Sequence, residues 1–562
     1  MWQSFSIKNI LIFSLILTPI VFFGYIFEKY AINIPHWDDF AVRNSLASYL
    51  NSNSPTEKIK ILFAQHNEHR IFLTRLAALL IYEVKGTLNL KWLMYMGNFS
   101  LIGILVLFFK ISKKYSFILL SLAPISFLIF NVGLYENTFW GMASIQNFGV
   151  IFLAFLTFYW LVFSVEKQKI KYFYFSLFSC FLGIFTSYNG IVIPIIGLFI
   201  LLFQQRKQVV FIWVGSCFVF LTSYFYSFLQ NPEKASKTDF SHPQLLLKGL
   251  FATIGNGIDL SFILSDKHID LSMAIGVFLV VFIAIFTYIV IFKKYNLANK
   301  TNDLFLLACL GFLAITCVGI VLARISFGFG TLLTSKYKIY SILILSIFYF
   351  VALQSLSENR KNNFIYMSIL GAIIFNIYTY IADYQNIIYL RQERITDQFK
   401  QQYSDKDFPK NGLAAKLQQP VAIFYTDIVD KILQTNDSVK TNINITENET
   451  SFRLEEKQNG KILDLTSADA GQYFILKSTE KVYLFPTQTI PINKKVYMNS
   501  SFLVENRLPL SSFVAEITKF YIQSGKYQIG KVLVENDTKT VIFTTQTIDI
   551  QTVEKEKPKQ NW

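Results

Sequence analysis

Two adjacent carboxylates, Asp38 and Asp39, lie in the stretch Ile34-Pro35-His36-Trp37-Asp38-Asp39-Phe40, directly after the first apolar run. Charge at a bilayer edge is costly unless it is solvated or used. A carboxylate placed there can act as a general base toward an attacking hydroxyl, and partial burial or a like-charged neighbour raises its pKa toward that task. The competing reading is local: Asp is a good N-cap, so the pair could open a helix from a solvated loop. A second polar cluster, Gln65-His66-Asn67-Glu68-His69-Arg70, follows in the same loop. On a helix, His66, His69 and Arg70 share a face by their i, i+3, i+4 spacing. With Asp38 and Asp39, His66 and His69 could hold a divalent ion such as Mg or Mn, although no strict ligand spacing is present. Alternatively, Arg70 and the histidines bind an anionic head group. A polar helix with internal ion pairs also accounts for the cluster.

Cations recur later, in Arg324 to Tyr340 (RISFGFGTLLTSKYKIY). A phosphate on a lipid carrier needs fixed cationic donors at the membrane surface. Arg324 and Lys336 supply two, Tyr337 stands beside them, and Gly328 and Gly330 allow close backbone approach. Cations snorkelling to lipid head groups in general would give the same pattern. Phe139-Trp140-Gly141 with Gln146-Asn147, and Ser187-Tyr188-Asn189-Gly190, combine aromatic and amide groups suited to stacking a sugar and bonding its hydroxyls. Trp140 taken alone equally fits an interfacial aromatic belt.

These residues need elements to position them, and the composition says which kind. With 53% hydrophobic and 16% charged residues, the chain reads as a polytopic α-helical membrane protein. The net charge of +15 does not imply a nucleic-acid partner, because the basic residues are dispersed in short loops between apolar runs. Apolar runs near 9–28, 91–109, 115–131, 147–165, 172–188, 190–204, 209–229, 271–292, 303–322, 338–356 and 363–382 predict about eleven transmembrane helices. The first reads as a retained helix, being too long for a signal-peptide core and followed by no small-x-small site. With Lys8 inside, alternate loops collect Lys110, Lys113 and Lys114; Lys167, Lys169 and Lys171; Arg206 and Lys207; Lys293, Lys294 and Lys300; and Arg360 and Lys361. That puts the N-terminus in the cytoplasm. The opposite side then collects Asp38, Asp39, Glu68, Arg70, Glu136, Trp140, Asn189, the loop 230–270 with Asp239, Asp259 and Asp266, Arg324, Lys336 and all five histidines. Residues 71–84 (IFLTRLAALLIYEV), interrupted by Arg75, read as a helix lying in the interface. The four cysteines, all in apolar runs, imply no disulfide framework.

After Asp383 the pattern changes. Residues 1–382 form the membrane domain and 383–410 a helical connector. Residues 411–553 form an extracytoplasmic β-rich, sandwich-like domain, and 554–562 a disordered tail. Strands are expected at 452–455, 461–465, 473–477, 482–485, 496–504, 514–521, 527–534 and 540–544, separated by Gly460, Gly471, Gly525 and Asn536-Asp537.

An acidic pair after the first helix, many helices, and a C-terminal extracytoplasmic β-rich domain together resemble the GT-C class of membrane glycosyltransferases. That class includes the protein O-mannosyltransferases and the lipid A aminoarabinose transferases. The HWDDF, HNEHR, FWG…Q, SYNG and AR.SFG…SKY arrangement also resembles a group of uncharacterised bacterial membrane proteins regarded as glycosyltransferases. The likeness covers residues 1–382; the C-terminal domain matches in character and position only. It implies a polyprenyl-phosphate sugar donor, a glycan, lipid or protein acceptor, and inversion at the transferred carbon. The site lies on the outer face of the cytoplasmic membrane. Asp38 matches the family's catalytic base, with Asp39 where Glu is common. Glu68 or His69 orients acceptor or base, and Arg324 and Lys336, with Arg70 or a metal, hold the phosphate. Lys336 stands where arginine is expected, which forgoes two-pronged phosphate binding. An O-antigen ligase or polymerase, working on lipid-linked glycans with outer arginines and a large mid-chain loop, is the alternative enzyme. A lipid-carrier transporter or flippase, or an assembly scaffold, is the non-enzymatic one.

Overall fold

The computed structural model describes residues 7–164, 170–228, 240–292, 297–403, 442–503, 505–535 and 538–552, with isolated positions between 417 and 440. Asp239, the side chain of Asp266, the turn Asn536-Asp537 and the tail 554–562 lie outside the described residues. The chain divides into two compact units, one holding described residues 7–26 and 37–380, the other 27–36 and 381–552.

The first unit is helical. Among the described residues, eight helices are long and apolar enough to cross a membrane: Ile7–Tyr30, Leu90–Lys114, Gly141–Phe163, Lys207–Phe225, His268–Phe292, Lys300–Phe327, Ser335–Ser355 and Glu358–Gln401. The run at 115–131 is instead a pair, Leu119–Ile129 and Val132–Thr138, bent by 44°, which counts as a ninth span if it is one. The runs at 172–188 and 190–204 are shorter helices, Ile170–Ile184 and Tyr188–Phe203. Apolar length by itself does not distinguish one crossing from two half-length helices joined by a turn. The turn here needs its glycine: a Cβ on Gly190 would meet the Gly183 carbonyl oxygen at 2.0 Å.

Broken helices free backbone groups that an apolar medium cannot satisfy. At the 44° bend, the Asn376 amide donates to the carbonyls of Phe127 and Phe130, both at 2.9 Å, and Asn131 accepts from Gly133 N–H. The stitched bend presents Glu136 and Asn137 to the start of the helix Ser335–Ser355. Hydroxyls inside the bundle bond back along their own helices, as Thr157 does to Leu153 and Ser346 to Ile342.

Two local expectations are corrected. Gln65 to Arg70 is not helical: Gln65–His66 and His69–Arg70 pair as an antiparallel hairpin turning on Asn67, whose φ is 49°. Asn tolerates that left-handed conformation, and hairpin pairing sets His66 opposite His69. The loop 230–270 contains a helix, Pro243–Gly255, crossing His268–Phe292 so closely that a Cβ on Gly255 would lie 1.8 Å from Ser272 O. The expected short helix after the hairpin is present as Phe72–Lys85, closed by Gly86 at φ 69°.

The second unit is β-rich. One five-stranded sheet runs Asn444–Glu447, Ser451–Lys457, Arg507–Thr518, Ile462–Asp464, with Gln488–Pro491 also paired to Arg507–Thr518. The other runs Ser438–Val439, Thr538–Ile550, Gly525–Glu535, Gly471–Lys477, Val482–Pro486. Period-two alternation in Gly471–Lys477 buries both faces. Phe474 and Leu476 pack with Phe452 and Leu454 of the first sheet, while Tyr473 and Ile475 pack with Ile395 and Phe399 of the helix Glu358–Tyr403. Of residues 496–504, expected as a strand, 496–503 fold as helical turns, Lys494–Met498 and Ser500–Leu503, because Asn493 accepts from Lys495 N–H and nucleates the first, and 504 lies outside the described residues.

Candidate functional site

The site is built on the first unit from its hairpin, the bend at 131–138 and three helix ends. Asp38 stands at the N-cap of Asp39–Asn51, yet its carboxylate makes no capping hydrogen bond. It is 41% exposed, and its Oδ1 lies 3.3 Å from His66 Nε2. Asp39 behaves differently. It is fully buried, and its Oδ1 accepts from Met142 N–H at 2.8 Å, capping the helix that starts at Gly141. The first acid faces outward and the second fastens two helices.

The hairpin holds His66 and His69 on one side. His69 Nδ1 accepts the Tyr188 N–H at 3.1 Å, which leaves its Nε2 as the proton-bearing nitrogen. Burial, with repulsion from His66 and Arg324, pushes the His69 pKa down to about 4 against the opposing pull of Glu68 and Asp38. His69 is therefore a neutral donor near neutral pH. Glu68 is exposed at the hairpin tip.

Arg70, on the opposite side of the hairpin, donates from Nε, Nη1 and Nη2 to the carbonyls of Tyr224, Phe63 and Tyr226. Its guanidinium holds the loop together, and the expectation that it binds an anionic head group is withdrawn. Arg75 likewise bonds Ser45, Leu62 and Ala64, and burial draws its pKa down to about 10.

Arg324 and Lys336 are the contrasting cations. The Arg324 guanidinium, at the end of Leu297–Arg324, makes no hydrogen bond or ion pair among the described residues. Lys336 sits in the first turn of Ser335–Ser355, where Glu136 accepts its N–H at 2.9 Å. Its ammonium lies over the rings of Trp37, at 5.5 Å, and Trp140, at 5.3 Å. Gly328 takes φ 93°, a conformation that glycine supplies freely, and both Gly328 and Gly330 face open space. Tyr337 packs on the apolar core. Lys338, two residues on, is not a third such cation: it is buried and pairs with partly buried Asp259 at 3.1 Å. Burial raises the Asp259 pKa, but Lys338 and the Ser261 N–H together outweigh it and hold the carboxyl below its usual range.

A polar chain joins these parts. Asn189 donates to Tyr340 Oη (3.3 Å), Tyr340 to Asn147 Oδ1 (3.4 Å), Asn147 to Asn137 Oδ1 (2.9 Å), and Asn137 to Lys336 O (2.8 Å). Neighbouring Tyr188 bonds His69, the hairpin carries His66 to Asp38, and Trp37 returns to Lys336, so the contacts close into a ring. Gln146 and Asn147 lie in a π-helical turn, Ile145–Gly149, of the kind frequent at functional sites. Gln146 Nε2 and Asn189 Oδ1 are buried atoms without a protein partner among the described residues. They are an open donor and an open acceptor. Asn147 belongs to the amide motif expected to bond sugar hydroxyls, whereas the sequence assigns no role to Asn137, Tyr340 or Trp37. A π turn has no sequence signature, but the motif Tyr135-Glu136-Asn137, polar between apolar runs, was a usable signal.

The four metal candidates do not converge. Asp38 and His66 meet, whereas Asp39 Oδ1 and His69 Nδ1 already accept backbone N–H groups. Among the described residues no three His, Cys, Asp or Glu side chains come together as a metal site. Comparison of the chain with family models, with curated proteins and with solved structures gives no match.

Proposed function

We propose that this chain is an inverting membrane glycosyltransferase that moves a sugar from a polyprenyl-phosphate donor to the hydroxyl of an extracytoplasmic glycan, lipid or protein. The observation that carries the reading is the pairing of opposites around one ring of contacts. A half-exposed carboxylate, Asp38, is backed by His66, and two cations, Arg324 and Lys336, have no anion of their own among the described residues. Asp38 takes the acceptor hydroxyl's proton as that oxygen bonds to the sugar's anomeric carbon. The carbon–phosphate oxygen bond breaks on the opposite face, and the phosphate leaves with the electron pair. Arg324, Lys336 and the neutral Nε2–H of His69 stabilise the leaving oxygens. The proposed setting is the cytoplasmic membrane, N-terminus inside, with the site and the β-rich unit outside.

The test is sugar transfer by purified protein in nanodiscs supplied with polyprenyl-phosphate sugars and a hydroxyl acceptor. Protein inert toward every such donor overturns the reading. One observation favours the ligase or polymerase alternative: the mid-chain loop carries the packed helix Pro243–Gly255, and Asn256 at its end bonds the Leu332 and Thr334 carbonyls beside Lys336. Transfer from a pyrophosphate-linked oligosaccharide, with monosaccharide phosphates inert, would select it.

A further inference from the structure

Trp37 has no task in the mechanism above, yet it carries two unusual features. Its backbone lies in the left-handed region at φ 45°, a strained conformation for a bulky L residue. It is also 65% exposed, so burial does little to offset that strain. What the conformation does achieve is placement. The indole stands edge-on to Trp140, with centroids 5.8 Å apart, and under the Lys336 ammonium. The Lys336 ammonium is therefore held by two π faces and makes no ion pair among the described residues, Glu136 being bonded to the backbone N–H, so its charge stays available to an anion. The next residue in the chain is Asp38.

We propose that Trp37 is the platform on which the sugar ring of the donor stacks, between the Asp38 carboxylate and the Lys336 ammonium. The inference rests on the glycosyl-transfer reading and deepens it by naming the group that recognises the sugar. In an inverting displacement the ring carrying the reacting carbon lies between the base and the departing phosphate. Trp37 adjoins the base along the chain and a phosphate-binding cation in space, so the ring it meets is the donor's. An exposed indole offers a flat apolar face to the C–H face of a pyranose, and its stiffness keeps the entropy cost of ordering low. Backbone strain beside a reacting group is retained where function requires that placement.

The experiment measures binding of bare polyprenyl phosphate and of polyprenyl-phosphate glucose, mannose and galactose to protein in nanodiscs, with thermal stability alongside. Wild type should bind one hexosyl lipid more tightly than the bare lipid. Trp37→Ala should lose about tenfold or more of its affinity for that hexosyl lipid, as removal of a stacking tryptophan does at other sites, and keep its affinity for the bare lipid. Trp37→Gly should show the same loss with an equal or higher melting temperature, because glycine adopts the left-handed turn without strain. Hexosyl-lipid affinity retained in both variants, equal weakening toward both lipids, or a lowered melting temperature in Trp37→Gly overturns the platform alone. So does a wild type that binds both lipids equally. A wild type that binds neither lipid overturns the glycosyl-transfer reading and the platform with it.

Discussion

Two pairs of cations in the first unit share residue chemistry and differ in everything around them. Around the hairpin, Arg70 and Arg75 donate to backbone carbonyls and a serine, and both are buried. At the ends of two long helices, Arg324 has no hydrogen-bonded partner among the described residues and Lys336 rests on indole faces. The carboxylates divide the same way: Asp39 is buried on Met142 N–H, whereas Asp38 is half-exposed beside His66. A charge whose hydrogen-bonding capacity the protein already fills holds structure. A charge left open at a polar surface remains available to a ligand. The difference is set by neighbours, not by residue type or exposure of the loop as a whole.

The widest separation should come from the adjacent acids. Asp38→Asn keeps the size and removes the base, so the transfer rate should fall about 10²–10⁴-fold with the melting temperature unchanged. Full activity in a folded Asp38→Asn protein would remove it from the mechanism. Asp39→Ala should act through the fold, costing about 1–2 kcal/mol for a lost helix cap. Calorimetry and transfer assays on the two variants read the contrast directly.

Among the cations, Arg70→Ala should destabilise by about 2–4 kcal/mol, because carbonyls that it serves lose their donors. Arg324→Ala should leave the melting temperature alone and weaken donor binding about 10–100-fold, the worth of a charged hydrogen-bonding group. Arg324→Lys should restore only part of this, lacking the two-pronged contact. Donor affinity unchanged in Arg324→Ala would end its assignment to the phosphate.

A smaller effect is expected from His69. Its folded pKa, near 4, lies below the ordinary histidine value of 6.5, so the unfolded chain binds the extra proton first. Stability from keeping it neutral is complete above about pH 6.5 and declines as pH falls toward 4. Melting curves across that window should be steeper in pH for wild type than for His69→Gln. Equal slopes would show that His69 titrates normally.

The orientation has its own check. Cysteines placed at Lys361 and at exposed Glu480 should react differently with an impermeant reagent on intact cells, with only 480 labelled. Labelling of 361 alone would put the site on the wrong side for the proposed donor.

Much of the helical unit was legible in the sequence because apolar runs of membrane-spanning length have few other uses. Each of the eleven runs is helical, yet three of them are bent or short. Those three turn on Asn376 reaching back to Phe127 and Phe130 and on Gly190 pressing against Gly183, contacts between residues far apart or invisible to hydropathy. In the β-rich unit, alternation located most strands, but 496–503 followed local asparagine capping instead.

The candidate site divides along the same line. Residue type and order alone identified the acidic pair, the histidine cluster, the late cations and the aromatic–amide motifs, because such groups are costly among apolar runs unless they have a purpose. Sequence could not say that Asp39 would cap a helix about a hundred residues on, that Arg70 would donate to three backbone carbonyls, or that Trp37, Trp140 and Lys336 would meet. Those outcomes depend on which backbone donors and acceptors the folded helices leave open. That is settled only when distant segments pack, since hydrogen bonds and ion pairs act over a few ångströms while the sequence records only neighbours along the chain.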